Sequence, residues 1–262
     1  MERLRSLLKI LPARRGVAEE QMPPACEACG DTGWIDVRLV SLVVLEGSQG
    51  PWDRKQPIHV LAAFCSCQAD RRLALLRRSC GAPEWARLDT FKKGRGTEEA
   101  LAAVREVLKL SGAMPYNTLL VSGSFGCGKS HLAGGLAYAL ADRGTSARYR
   151  YVPDLLAEIR QAIGSEEVGA ADNLVDGYMR QYVLVLDDLG AGRPGTDFTR
   201  DVIERIVNGR YERGPLLVVT TNLTGPEMEE RWGRRVADRL LDSRSGRARQ
   251  VEIKAKSFRT GR

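Results

Sequence analysis

At 262 residues, with 43% apolar and 28% charged positions, the chain has the composition of a folded globular protein and room for one large α/β domain plus a small module. Forty basic against 33 acidic residues give a net charge of +7. No run of eighteen apolar residues occurs, which excludes a helix that crosses a membrane, and the opening MERLRSLLKILPARRG lacks a signal-peptide core and cleavage site, so a cytoplasmic protein is expected.

Residues 1–25 form an amino-terminal tail in which Leu4, Leu7, Leu8 and Leu11 share one helical face, suited either to a frayed amphipathic helix or to docking on a partner. Six cysteines in a cytoplasmic chain point to metal or buried thiols rather than disulfides. Four of them pair, Cys26 with Cys29 in C-x-x-C-G and Cys65 with Cys67 in C-x-C. Four thiolates make a closed tetrahedral zinc site of structural type. Residues 26–79 are therefore expected to form a zinc-binding module in which strands over 34–40 and 58–64 pair as a hairpin around the loop 46–56. Such a module buries little apolar surface, and metal would supply roughly 10–16 kcal/mol of its folding energy. His59 is a less favoured substitute ligand, and Cys80 has no evident partner.

RRLALLRR, residues 71–78, reads as a short basic helix that Gly81 and Pro83 end, which sets a domain boundary at residue 80. Residues 97–110 form a capped amphipathic helix with Leu101, Val104, Val107 and Leu108 on one side. The apolar run 118–121 is a buried strand, and the stretch after it organises the chain. Gly123-Ser124-Phe125-Gly126-Cys127-Gly128-Lys129-Ser130-His131 fills the G-x-x-x-x-G-K-S pattern of a phosphate-binding loop, followed by a helix with Leu132, Leu136 and Leu140. Its glycines let successive backbone N–H groups turn inward at a helix N-terminus, which makes a nest for phosphate. Lys129 is placed over the β- and γ-phosphates of a nucleoside triphosphate and the Ser130 hydroxyl on Mg²⁺.

A strand at 147–152, a helix at 153–163 and a polar loop over 164–176 leading to a short helix come next. The apolar strand 182–190 reaches Asp187 and Asp188, a pair expected to hold the magnesium hydration shell and to act as general base, respectively. A helix over 198–211 and a buried strand over 216–222 follow, and Asn222 at the strand tip is suited to hydrogen-bonding the γ-phosphate and the attacking water. Alternation of helices and buried strands predicts a parallel sheet flanked by helices. From Arg231 onward basic residues outnumber acidic ones, which fits either a face that meets phosphates or a solvated basic surface.

GSFGCGKSHLA (123–133), VLVLDDLG (183–190), NGRYERGPLLVVTTNL (208–223), ADRLLD (237–242) and KSFR (256–259) together resemble the DnaC/DnaI/IstB branch of AAA+ ATPases, the helicase loaders and transposition helper ATPases. CEACGDTGW with FCSC resembles the zinc-binding module of DnaI-like loaders. The resemblance implies an AAA+ domain over 80–262 with ATP, Mg²⁺ and Zn²⁺ as cofactors, slow switch-like hydrolysis, and no full helical lid. It implies that Arg239 is the arginine finger that reaches a neighbouring subunit's ATP, with Arg235 as second choice, and assigns Arg259 a sensor role. The partners implied are the replicative DNA helicase, single-stranded DNA and further copies of the chain, with no membrane. Arg148, Tyr149, Arg150 and Tyr151 are candidates to grip the strand. A transposition helper acting on duplex DNA is the alternative, and a scaffold that binds ATP with little turnover is a third reading.

Overall fold

A computed structural model of the chain describes residues 34–36, 62–64, 66–109, 115–165, 167–192 and 196–258. It divides into two compact units, Met1–Asp70 and Arg71–Arg262. In the first, β1 (Trp34–Asp36) and β2 (Ala62–Phe64) pair antiparallel with Trp34 opposite Phe64, in keeping with the hairpin read from the alternation. The rest of that expected hairpin lies outside the described residues. Helix α1 (Ser66–Cys80) spans the division.

The second unit holds a five-stranded, wholly parallel sheet. In chain order its strands are β3 (Thr118–Gly123), β4 (Ala147–Tyr151), β5 (Val183–Asp187), β6 (Leu216–Thr221) and β7 (Ala248–Ile253). They lie in the order β4-β5-β6-β3-β7. Central strands covered on both faces must be apolar throughout, and every residue of β5 and β6 is buried. The period of two distributes them between two cores. Leu119, Val121, Val183, Val185 and Val218 face α2 (Glu98–Lys109) and α3 (Lys129–Ala141). Leu120, Leu184, Leu186, Leu217 and Val219 face α4 (Val152–Ile163), α5 (Ala170–Arg180), α6 (Asp197–Arg213), α7 (Gly225–Trp232) and α8 (Arg234–Leu240). Among the described residues no helix is long and apolar enough to cross a membrane.

One expectation is corrected, and one strand is added. The stretch 164–176 is not a loop throughout. Gly169 adopts a left-handed conformation (φ 79°) and starts α5 at Ala170, because Val175, Tyr178 and Met179 fall at helical spacing and are buried where the helix packs on α4 and α6. β7 was not foreseen, since its alternation of buried Ala248, Val251 and Ile253 is interrupted by Arg249, Gln250 and Glu252 on an edge strand. The glycine pair in α3 also has a packing reason. A Cβ on Gly134 would stand 2.6 Å from Ala86 Cβ, and one on Gly135 would stand 2.8 Å from the Leu88 side chain. The segment before α2 is thereby drawn onto the helix that carries the phosphate loop.

Candidate functional site

The loop between β3 and α3 folds as its glycines require. Gly126 and Gly128 hold φ of 74° and 103°, values that any Cβ would strain, and Gly128 caps α3 with no side chain on the free N–H groups. The helix therefore opens with unsatisfied donors and the positive end of its dipole exposed to the loop. Lys129 is nearly enclosed, and its Nζ donates to the carbonyls of Gly123 (2.9 Å) and Ser124 (2.8 Å). Cys127 is fully buried beneath the turn.

A cavity of about 350 Å³ opens beside the loop. Lys129, Ser130, His131 and Asp188 line it together with the aromatic side chains of Trp85, Phe91, Phe125 and Phe258. His131 is fixed by the carbonyl of Arg87 (2.8 Å) and the hydroxyl of Thr90 (3.1 Å), with Trp85 and Phe91 edge-on to its ring. The segment after β7 crosses the loop, where the Phe258 amide donates to the Gly126 carbonyl (3.0 Å). A flat-walled cavity next to a phosphate nest has the shape and chemistry to take an aromatic base.

Of the two carboxylates at the end of β5, that of Asp187 is bound by hydroxyls. Asp187, 3% exposed, accepts from Thr220 Oγ1 on Oδ1 and from the Tyr149 hydroxyl on Oδ2, both at 2.6 Å. Thr220 Oγ1 also accepts from the Asp188 backbone N–H at 2.8 Å. Asp188 takes the left-handed region (φ 55°), a conformation that costs a non-glycine residue about 1–3 kcal/mol and clusters at functional sites. Burial and the neighbouring Asp187 raise its pKa, while Lys129 and Arg231 pull it down. Ser130, Asp187 and Asp188 meet in an adjoining cavity of about 490 Å³, which shares Trp85, Ser130 and Asp188 with the first.

Asn222 sits just beyond β6, its Oδ1 buried and without a hydrogen bond, an orphan of the sort a ligand satisfies. It lies so near the Asp188 turn that a Cβ on Gly190 would stand 2.2 Å from that oxygen. Arg239 is elsewhere. It lines a groove with Tyr211, Arg235, Asp238 and Arg244, with its guanidinium 5.4 Å above the Tyr211 ring and 3.7 Å from Glu212. Arg235 is held by Glu204 at 2.6 Å. The structure thus gathers the phosphate loop, Asp187, Asp188 and Asn222, and leaves Arg239 on a separate face.

The donor set fits a nucleotide with a divalent cation. Ser130 and Asp187 supply hard oxygens in one cavity, and the open helix N-terminus supplies an anion site. The zinc expectation at Cys26, Cys29 and Cys65 lies outside the described residues, as do Arg259 and the side chain of Cys67. Among the described residues, no group of three or more His, Cys, Asp and Glu is arranged to hold a metal ion. The strand-gripping expectation for 148–151 is corrected in part. Arg148 is bonded to the Ser79 carbonyl and Arg150 to the Tyr178 hydroxyl, and Tyr149 is enclosed, so that Tyr151 is the aromatic side chain of this run that solvent reaches. The bond from Tyr149 to Asp187, the role of Thr220 and the aromatic lining of the first cavity apart from Phe125 escaped sequence reading. Thr220 and Phe258 lay inside quoted motifs, but nothing in their spacing marked what they touch.

Comparison with known proteins places the fold and the family. The crystal structure of the DnaC helicase loader superposes with a TM-score of 0.55 at 24% identity, covering 64% of this chain and 97% of that one. The chromosomal replication initiator protein DnaA of Neisseria gonorrhoeae is 25% identical over 69% of this chain, which spans about a third (34%) of that protein's length. An ATP-binding protein of insertion sequence IS5376 from Geobacillus stearothermophilus is 24% identical over 59% of this chain and 58% of its own. The fold is that of an AAA+ P-loop core. Residues 58–262 match the family of IstB-like ATP-binding proteins along most of the described chain, and the protein belongs to that family.

Proposed function

We propose that this ATPase is a nucleotide-driven switch that assembles with copies of itself on DNA and loads the replicative helicase. The observation that carries the reading is the division of the site. Lys129, Ser130, Asp187, Asp188 and Asn222 gather at one end of the sheet, while the arginine that the family resemblance makes a finger lies in another groove. A site completed by a second copy makes ATP the joint between subunits as well as the fuel. With nucleotide bound, Lys129 would exchange its two loop carbonyls for the β- and γ-phosphates, Ser130 and Asp187 would hold magnesium and its waters, and Asn222 would orient the attacking water. Magnesium, when bound, neutralises phosphate charge in the transition state. The paired cysteines Cys26, Cys29, Cys65 and Cys67 would hold a structural zinc in a module that docks on the helicase, and single-stranded DNA would meet the arginine-rich segment from Arg231 onward.

In this reading Asp188 takes a proton from the attacking water and works only when ionised. Burial and Asp187 move its pKa above the ordinary carboxylate value of 3.8, so loss of activity on acidification begins at higher pH than for an exposed aspartate. The kcat/KM–pH profile, which reports the free enzyme, is expected to fall on its acid side with a midpoint above 3.8. A midpoint at or below that value would remove Asp188 from the role.

Relatedness to an insertion-sequence ATP-binding protein favours a second reading, a helper that activates a transposase on duplex DNA. Size-exclusion chromatography with light scattering separates the two, run on the full chain and the host's replicative helicase with ATP, with ADP, and with Lys129→Ala. A discrete complex that changes with nucleotide and is lost in Lys129→Ala is expected. Absence of that complex, with ATP-dependent assemblies on duplex DNA instead, would move the assignment to transposition.

A further inference from the structure

The Asp187 carboxylate is held from both neighbours of its own strand. β5 lies between β4 and β6, and each flanking strand sends one hydroxyl onto one carboxylate oxygen, Tyr149 onto Oδ2 and Thr220 onto Oδ1. Tyr149 pairs in register with Val185, two residues before Asp187, which puts both side chains on one face of the sheet with the phenol reaching toward the strand end. Its ring is 5% exposed, and Tyr149, Asp187, Asp188 and Ser130 line the same cavity.

A carboxylate offers about four lone-pair positions. Two are taken by hydroxyls that arrive from opposite sides, which fixes the carboxylate plane and leaves one position on each oxygen. We infer that Tyr149 is a positioning residue for the divalent cation. Its hydroxyl locks the rotamer of Asp187 so that the remaining lone pairs face the Ser130 side of the cavity, where metal-bound water can donate to them. Tyr149 touches neither nucleotide nor metal and acts through Asp187. The tyrosine thus does for the carboxylate what outer hydrogen-bond partners do for metal ligands in general, where their removal typically costs 10–100-fold in metal affinity.

The inference rests on the reading that Ser130 and Asp187 hold magnesium, and the test separates the two. A fluorescent ADP analogue is titrated onto the full chain in EDTA and then across a series of Mg²⁺ concentrations. Tyr149→Phe keeps the ring and removes the hydroxyl. The Mg²⁺ concentration needed for half of the metal-dependent gain in nucleotide affinity is expected to rise about 10-fold or more, with affinity in EDTA unchanged. Tyr149→Met, a second variant without the hydroxyl, is expected to show the same displacement and keeps the test open if one variant does not fold. A Mg²⁺ titration that superposes on wild type in a folded variant, with thermal stability alone altered, would overturn the inference and leave Tyr149 as a packing residue. Asp187→Asn is run in parallel. If it shifts the Mg²⁺ dependence while Tyr149→Phe does not, the tyrosine inference alone fails; if Asp187→Asn has no effect either, the magnesium reading fails with it.

Discussion

Arg239→Ala is expected to lower kcat by about 10³–10⁵-fold while ATP still binds. The size follows from what a finger does: it meets charge that develops on the transferred phosphoryl group, so its loss appears in the transition state and little in the ground state. The geometry tells where that loss can be repaired. Arg239 shares its groove with Tyr211, Arg235 and Arg244, whereas Lys129 and Asp188 line a different cavity. Its guanidinium rests above Tyr211 and near Glu212, weak restraints that a phosphate on an adjoining copy can outbid. Subunits carrying Arg239→Ala keep an intact phosphate loop, and subunits carrying Asp188→Asn keep an intact finger. Each variant alone should be nearly inactive, and a mixture should recover turnover at those junctions where an Arg239 subunit faces an intact Asp188. Steady-state phosphate release, measured across mixing ratios at constant total protein, reads this directly. A mixture no more active than its parts, or a kcat within a few-fold of wild type for Arg239→Ala alone, would return the residue to packing on Tyr211.

How much of this was legible beforehand depends on whether a residue acts through local spacing or through distant contact. The phosphate loop was readable because its function lies in consecutive backbone positions, and Gly126, Gly128, Lys129 and Ser130 fold as that pattern demands. The strands β3, β5 and β6 were readable because burial on both faces forces continuous apolar runs. β7 failed the same test: as an edge strand it carries charge, and half of its alternation is polar. α5 was underread because Gly169 and a polar first turn resemble a loop, while the contacts that make it helical come from Val175, Tyr178 and Met179 against elements far along the chain. Tyr149 shows the limit most clearly. The alternation of arginine and tyrosine on β4 suggested a surface for nucleic acid, yet sheet order turns Tyr149 inward onto a carboxylate 38 residues away. Nothing in the local pattern records which strand lies beside which.

Arg210→Met is expected to cost about 3 kcal/mol or more of stability, because it leaves several buried carbonyls without donors at about 1–3 kcal/mol each. Arg210 is 1% exposed and stands on α6, where its guanidinium spreads over four carbonyls. Nη1 donates to Tyr178 (2.9 Å), Met179 (3.3 Å) and Gln181 (2.8 Å), and Nη2 to Leu216 (2.5 Å). The first three are the unpaired carbonyls at the end of α5, whose last helical residue is Arg180, and Leu216 opens β6. One planar cation therefore satisfies a helix C-terminus, where its charge also meets the negative end of the dipole, and ties that helix to the start of a central strand. Methionine fills the volume and restores none of these bonds. Lysine carries the charge but cannot fan across four acceptors, so Arg210→Lys should recover only part of the loss. Burial lowers the pKa of Arg210 to about 9 from 12.5. Below that value the group is protonated both folded and unfolded, so the difference between wild type and Arg210→Met should be the same at pH 6 and pH 8. Urea unfolding at the two pH values measures the difference. A loss under about 1 kcal/mol would mean that water reaches these carbonyls and that the arginine is not what closes this end of the sheet.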